Sequence, residues 1–144
     1  MQVPRTTLAA VFLVGVFATQ ATASPNRLST AASGLAGKPV SVEHAPIATV
    51  DAYADLPLSR IVVRPRFWKT LNAIPAYNYA TTPWAVAIFA HEVGHIVRGV
   101  SENDAACWAT DNMYRVARVL GFGPHKAKVV AKWARQDQRA YCQR

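Results

Sequence analysis

Long apolar runs are scarce in this chain. The longest, Leu8 to Ala18, covers about 11 residues, while a membrane-spanning helix needs about 20. No later segment is long and apolar enough to cross a bilayer, which argues against an integral membrane protein. Acidic residues are also few, with eight Asp and Glu against 16 Lys and Arg and a formal charge of +8. There are only two cysteines, Cys107 and Cys142, so at most one intrachain disulfide can form. No internal repeat is visible. No nucleic-acid motif accompanies the basic charge, so nucleic acid is a poor candidate partner.

What is present begins with MQVPRTTLAAVFLVGVFATQATASPN. Arg5 lies in a short n-region, the apolar run follows, and Ala21-Thr22-Ala23 is a small-x-small site, the pattern of a secretory signal peptide spanning 1–23 and cut before Ser24. The remainder, about 121 residues, suffices for one core and is too short for two ordinary domains. Export implies a secreted or periplasmic location, where Cys107 and Cys142 meet an oxidising compartment and are expected to pair. Closing that loop would stabilise the fold by roughly 3 to 4 kcal/mol. Loss of Arg5 with the leader takes the charge from +8 to +7. From Arg115 onward the basic residues include Lys126, Lys128, Lys132 and Arg135, with Asp137 as the one acid. The ordinary reading is a solvated helix face, and the same charge suits an anionic envelope surface.

Residues 24–39, rich in Ser, Ala and Gly, read as a flexible lead-in to a domain over 40–144. Val40, Val42 and Ile47 to Val50 suit short extended pieces. Ser59 to Val63 is a better strand, rich in β-branched residues and stopped by Pro65. A brief helix is expected over Arg66 to Ala73, then a loop or strand bearing Tyr77 and Tyr79. Thr82 with Pro83 marks the start of a helix that continues without a breaker to Gly99 and is apolar on most sides. Ser101, with Asp104 three positions on, caps a second helix running to about Leu120. After Gly121 and Gly123, Pro124 opens a basic third helix to about Tyr141, with Val130, Trp133, Ala134 and Tyr141 expected inward.

The chemistry centres on His91-Glu92-Val93-Gly94-His95. Residues four apart share a helical face, so both imidazoles can approach one ion with Glu92 beside them. Two imidazoles and a carboxylate on a buried helix are costly to desolvate without a compensating partner, which a metal would supply. A catalytic zinc takes three protein ligands and leaves one position open. On the next helix the apolar stripe Ala106, Ala109, Met113, Val116, Leu120 leads back one turn to Glu102, the expected third ligand. Asp104 is the next candidate, followed by His125, Asp111 and His44.

HEVGH followed by Glu102-Asn103-Asp104-Ala105-Ala106-Cys107-Trp108-Ala109 resembles the gluzincin arrangement, in particular the minigluzincins and the catalytic core of CAAX-protease-like peptidases. The resemblance covers about Ala80 to Leu120. It implies an α+β zincin-like domain, a Zn2+ cofactor on His91, His95 and Glu102, and hydrolysis of a peptide or protein substrate. In such chemistry zinc activates water and polarises the scissile carbonyl while Glu92 acts as general base. Tyr77, Tyr79 and His125 are candidate donors to the oxyanion. By likeness to zincins, the strand Arg60 to Val63 would lie at a sheet edge and align the substrate. There are two departures. Ala106 stands where the family segment carries Asp, removing a carboxylate that would orient a ligand histidine. The interval from His95 to Glu102 is short, and Arg98 and Ser101 occupy the positions of the metzincin Gly and third His. Two further readings share the sequence: an exported zinc-binding domain without turnover, and a basic envelope-binding protein in which HEVGH is accidental.

Overall fold

The computed structural model describes residues 26–143; the leader expected over 1–23 lies outside them. The architecture is α+β, with a short three-stranded sheet from the N-terminal half and three long helices from the C-terminal half. The first element corrects the lead-in expected over 24–39, because Arg27–Ala36 is a helix, α1. The Asn26 side chain accepts the Ser29 N–H at its start, and Gly37 at φ 70° ends it. Leu28, Ala31, Ala32 and Leu35 recur three and four apart and are buried. The serines that suggested a linker have a structural task. Ser29 Oγ accepts the Val42 N–H at 2.9 Å and Ser33 Oγ accepts the Val40 N–H at 2.9 Å, while Asn26 Nδ2 donates to the Val42 carbonyl.

These bonds seal one side of the sheet. Strand β1 (Ser41–His44) pairs in parallel with β3 (Arg60–Val63), and β2 (Ala52–Asp55) pairs with β3 antiparallel, giving the order β1-β3-β2. The strand over Arg60 to Val63 is therefore central and not at an edge. Its Ile61, Val62 and Val63 are buried, as a strand flanked on both sides would have them. With the edge of β1 covered by α1, the exposed edge belongs to β2. The extended piece expected over Ile47 to Val50 belongs instead to the connection before β2. Arg64 holds this connection, donating from Nε to the Ile47 carbonyl and from Nη2 to the Ala48 carbonyl, with Nη1 at 3.1 Å from Asp51.

Helix α2 (Pro65–Asn72) leads to a loop carrying Tyr77 and Tyr79, and α3 (Thr82–Arg98) follows. Thr81, not Thr82, takes the cap position; Thr82 Oγ1 instead accepts the Asn78 N–H at 2.9 Å. Helix α3 is buried on most of its surface and stops at Gly99, whose φ of 95° suits a residue without Cβ. Ser101 accepts the Asp104 N–H and starts α4 (Glu102–Val119), whose Ala106, Ala109, Met113 and Val116 are fully buried, as is Leu120 at its C-cap. Helix α5 (Pro124–Arg139) corrects part of the expected inward face. Ala127, Val130, Ala131, Ala134 and Gln138 are buried, whereas Trp133 is 46% exposed and Tyr141, beyond the helix, is 64% exposed. Cys107 and Cys142 form a disulfide that ties the end of the chain to α4.

Helix α3 packs against both α4 and α5. Its approach to α4 is close because Gly94 has no side chain: a Cβ there would lie 2.5 Å from the Ala105 carbonyl oxygen. The glycine inside HEVGH thus sets the distance between the helix bearing the histidines and the helix bearing Glu102.

Candidate metal centre

The α3–α4 crossing brings His91, His95 and Glu102 together. One potential ligand atom from each lies within 4.8 Å of the others. His91 Nε2 is 2.9 Å from Glu102 Oε2, and His95 Nε2 is 3.4 Å from Glu102 Oε1. Donor atoms around a tetrahedral zinc, with bonds of about 2.0 to 2.1 Å, lie about 3.3 Å apart, so the spacing suits such an ion. The imidazoles are largely enclosed, while the Glu102 side chain is 78% exposed and reaches in from the first turn of α4.

The far nitrogens decide what the near ones can do. His95 Nδ1–H donates to the Gly99 carbonyl at 2.9 Å, and His91 Nδ1–H donates to Gln138 Oε1 at 2.9 Å. A carbonyl oxygen only accepts, so in a neutral imidazole the proton resides on Nδ1 and Nε2 presents a lone pair. Without an ion, His91 Nε2 and Glu102 Oε2 form a hydrogen bond of 2.9 Å through a proton on that nitrogen, and a cation bound there would take that proton's place. Two imidazole nitrogens held from behind and one carboxylate form a donor set that could hold a divalent cation and fits the zinc expected from the sequence.

Glu92, 8% exposed, lies beside this group. Burial raises its carboxyl above the ordinary carboxylate range; His91 and His95 oppose the shift, Glu102 adds to it, and a hydrogen bond from the Ala54 backbone favours the charged form. Ala54 belongs to β2, and this edge strand packs against the helix that carries HEVGH. Together they bound a cleft of about 740 Å³ whose walls include Val50, Tyr53, Leu56 and Val100. A smaller recess of about 190 Å³ opens on the α5 side, lined by Ile88, Gln138 and Tyr141 together with His91, Glu92 and Glu102.

The other candidate ligands are elsewhere. Asp104 and Asp111 line a separate depression with Arg98 and Trp108. His44 sits in β1 with its ring 4.9 Å from that of Trp68, and His125 is exposed on the first turn of α5. The proposed oxyanion donors are not brought in either. Tyr77 packs against Tyr79 and Phe122, and neither these rings nor His125 line the cleft or the recess. Tyr53 and Tyr141 do. Gln138 is a residue that sequence reasoning missed, although a signal existed. It ends the buried stripe Ala127, Val130, Ala131, Ala134, so the polar-end-of-an-apolar-stripe pattern that singled out Glu102 singles it out too.

Comparison of the chain with family models, with curated proteins and with solved structures gives no match.

Proposed function

We propose that this chain is a zinc-dependent peptidase acting outside the cytoplasm, with His91, His95 and Glu102 as metal ligands and Glu92 as general base. The observation that carries the reading is the convergence of two Nε2 atoms and one carboxylate, each imidazole being fixed from behind by an acceptor oxygen. A divalent ion bound there would supply Lewis acidity, making water nucleophilic near neutral pH and polarising the scissile carbonyl.

The chain's own residues supply the rest. Glu92, whose proton affinity is increased by burial, takes a proton from the attacking water and passes it to the leaving amine. The outer edge of β2, beside Glu92, offers main-chain groups to an extended peptide, the part first assigned to β3. Export, the premise of the location, rests on the sequence of 1–23.

The test is to purify the leaderless chain without added metal, count zinc per chain, and follow cleavage of casein and of a peptide library with and without a chelator. One zinc per chain and chelator-sensitive cleavage are expected. Zinc without cleavage would leave a metal-binding domain, and a folded chain that takes up no zinc would overturn the reading.

A further inference from the structure

The two ligand imidazoles are held in different ways. His95 is oriented by its own helix, through the Gly99 carbonyl four residues on. His91 has no such local support: its acceptor is Gln138 Oε1, 47 residues later, in the last turn of α5. Helix ends are ordinarily among the less ordered parts of a fold unless something ties them down. Here the tie is present. Cys142, four residues beyond Gln138, is bonded to Cys107 on α4, the helix that begins with Glu102. Asn103 Oδ1 adds a second attachment, accepting the Gln143 N–H at 2.7 Å. Gln138 itself is 6% exposed, enclosed between α3 and the tail.

We propose that Gln138 is a positioning residue for His91, and that the Cys107–Cys142 disulfide clamps the end of α5 onto the start of α4 so that Gln138 stays in place. This rests on the metal-centre reading above. It also accounts for the departure at Ala106, which is fully buried and has no polar side chain, since the acceptor behind His91 comes from the C-terminal helix. Ordering the tail would therefore be part of building the metal site, and the affinity for zinc would depend on a covalent bond that touches no ligand.

The experiment measures zinc affinity by competition with a chromophoric chelator, and the ligand-field spectrum of the cobalt(II) form, on the oxidised leaderless chain. Gln138→Met keeps the volume and removes the acceptor; zinc binding should weaken about 10- to 100-fold and the cobalt bands should shift. Gln138→Glu restores an acceptor oxygen and should recover affinity to within about threefold of the parent, a rescue that a packing role would not give. The paired substitution Cys107→Ala with Cys142→Ala should weaken binding by a similar factor. Adding Gln138→Met to it should cost little more, because both act through one contact. Gln138→Asn, which withdraws the acceptor by one methylene, serves if the methionine variant does not fold. Unchanged affinity in the Gln138 variants would overturn the positioning role, and unchanged affinity in the cysteine pair would overturn the clamp. A parent chain that binds no zinc would instead overturn the metal centre itself.

Discussion

Replacing Gly94 by Ala puts the relation between helix packing and the metal centre to a direct test. The new Cβ would lie 2.5 Å from the Ala105 oxygen, 3.0 Å from its Cα and 3.1 Å from its carbonyl carbon, all of them backbone atoms. No side-chain rotation relieves such a contact, so α3 and α4 must separate. Reaching ordinary contact at 3.4 Å requires the nearest atom to recede by 3.4 − 2.5 = 0.9 Å. Alanine gains about 1 kcal/mol over glycine in helix propensity, and overpacking of this kind costs about 1 to 3 kcal/mol. With rigid backbone as the obstacle the upper figure applies, leaving a net loss of about 1 to 2 kcal/mol, or about 4 to 10 °C in Tm. The consequence for the site is larger. Metal–ligand distances tolerate about 0.2 Å, so a shift approaching 1 Å between the histidines and Glu102 should weaken zinc binding by more than about tenfold. Calorimetric melting of the metal-free chain and zinc competition on the same samples give both quantities. Gly34→Ala is the control: that glycine is helical and exposed, nothing lies within 4 Å of its Cβ, and stability should rise by about 0.5 to 1 kcal/mol. A Gly94→Ala chain with unchanged Tm and unchanged zinc affinity would refute the claim that this close approach builds the site.

Further outcomes follow from the same geometry. Glu92→Gln should retain zinc and lose at least about 100-fold in turnover, as read by peptide cleavage and metal content together. In the metal-free chain the same substitution tests the raised Glu92 carboxyl by thermal melts across pH. A folded-state value above the unfolded one favours folding at low pH, an advantage lost as pH rises through the folded value, so the Gln variant should gain on the parent toward neutral pH and lose that gain in acid. Glu102→Ala should abolish stoichiometric zinc binding while Asp104→Ala leaves it unchanged, measured by metal analysis after gel filtration; the opposite pattern would reassign the third ligand. Ser101→Ala removes the side-chain acceptor of the Asp104 N–H and should cost about 1 kcal/mol in denaturant unfolding.

The helical half was legible because its signals are local. Proline near the start of α3, glycine at its end, the Ser101 cap and the three-and-four spacing of Ala106, Ala109, Met113, Val116 and Leu120 each express backbone and side-chain preferences that neighbours in sequence settle. The HEVGH spacing belongs to the same class, since helical periodicity alone places His91 and His95 on one face. The N-terminal half was harder to read. Strand β2 has a weak pattern, Ala-Tyr-Ala-Asp, and owes its place to pairing with β3. Helix α1 was masked by Ser and Gly, because a serine that bonds a strand edge has the same composition as one in a linker.

The sequence by itself determined which residues could hold a metal and which helices carry them, because ligand spacing and capping act over a single turn. Only the tertiary structure decided that Glu102 and not Asp104 faces the histidines, that β2 and not β3 borders the cleft, and that Gln138 stands behind His91. Those relations join residues between 11 and 47 positions apart, or a strand to its neighbours in space. They are fixed by how closely α3, α4 and α5 can pack, which depends on the missing side chain at Gly94 and on a covalent link at the end of the chain.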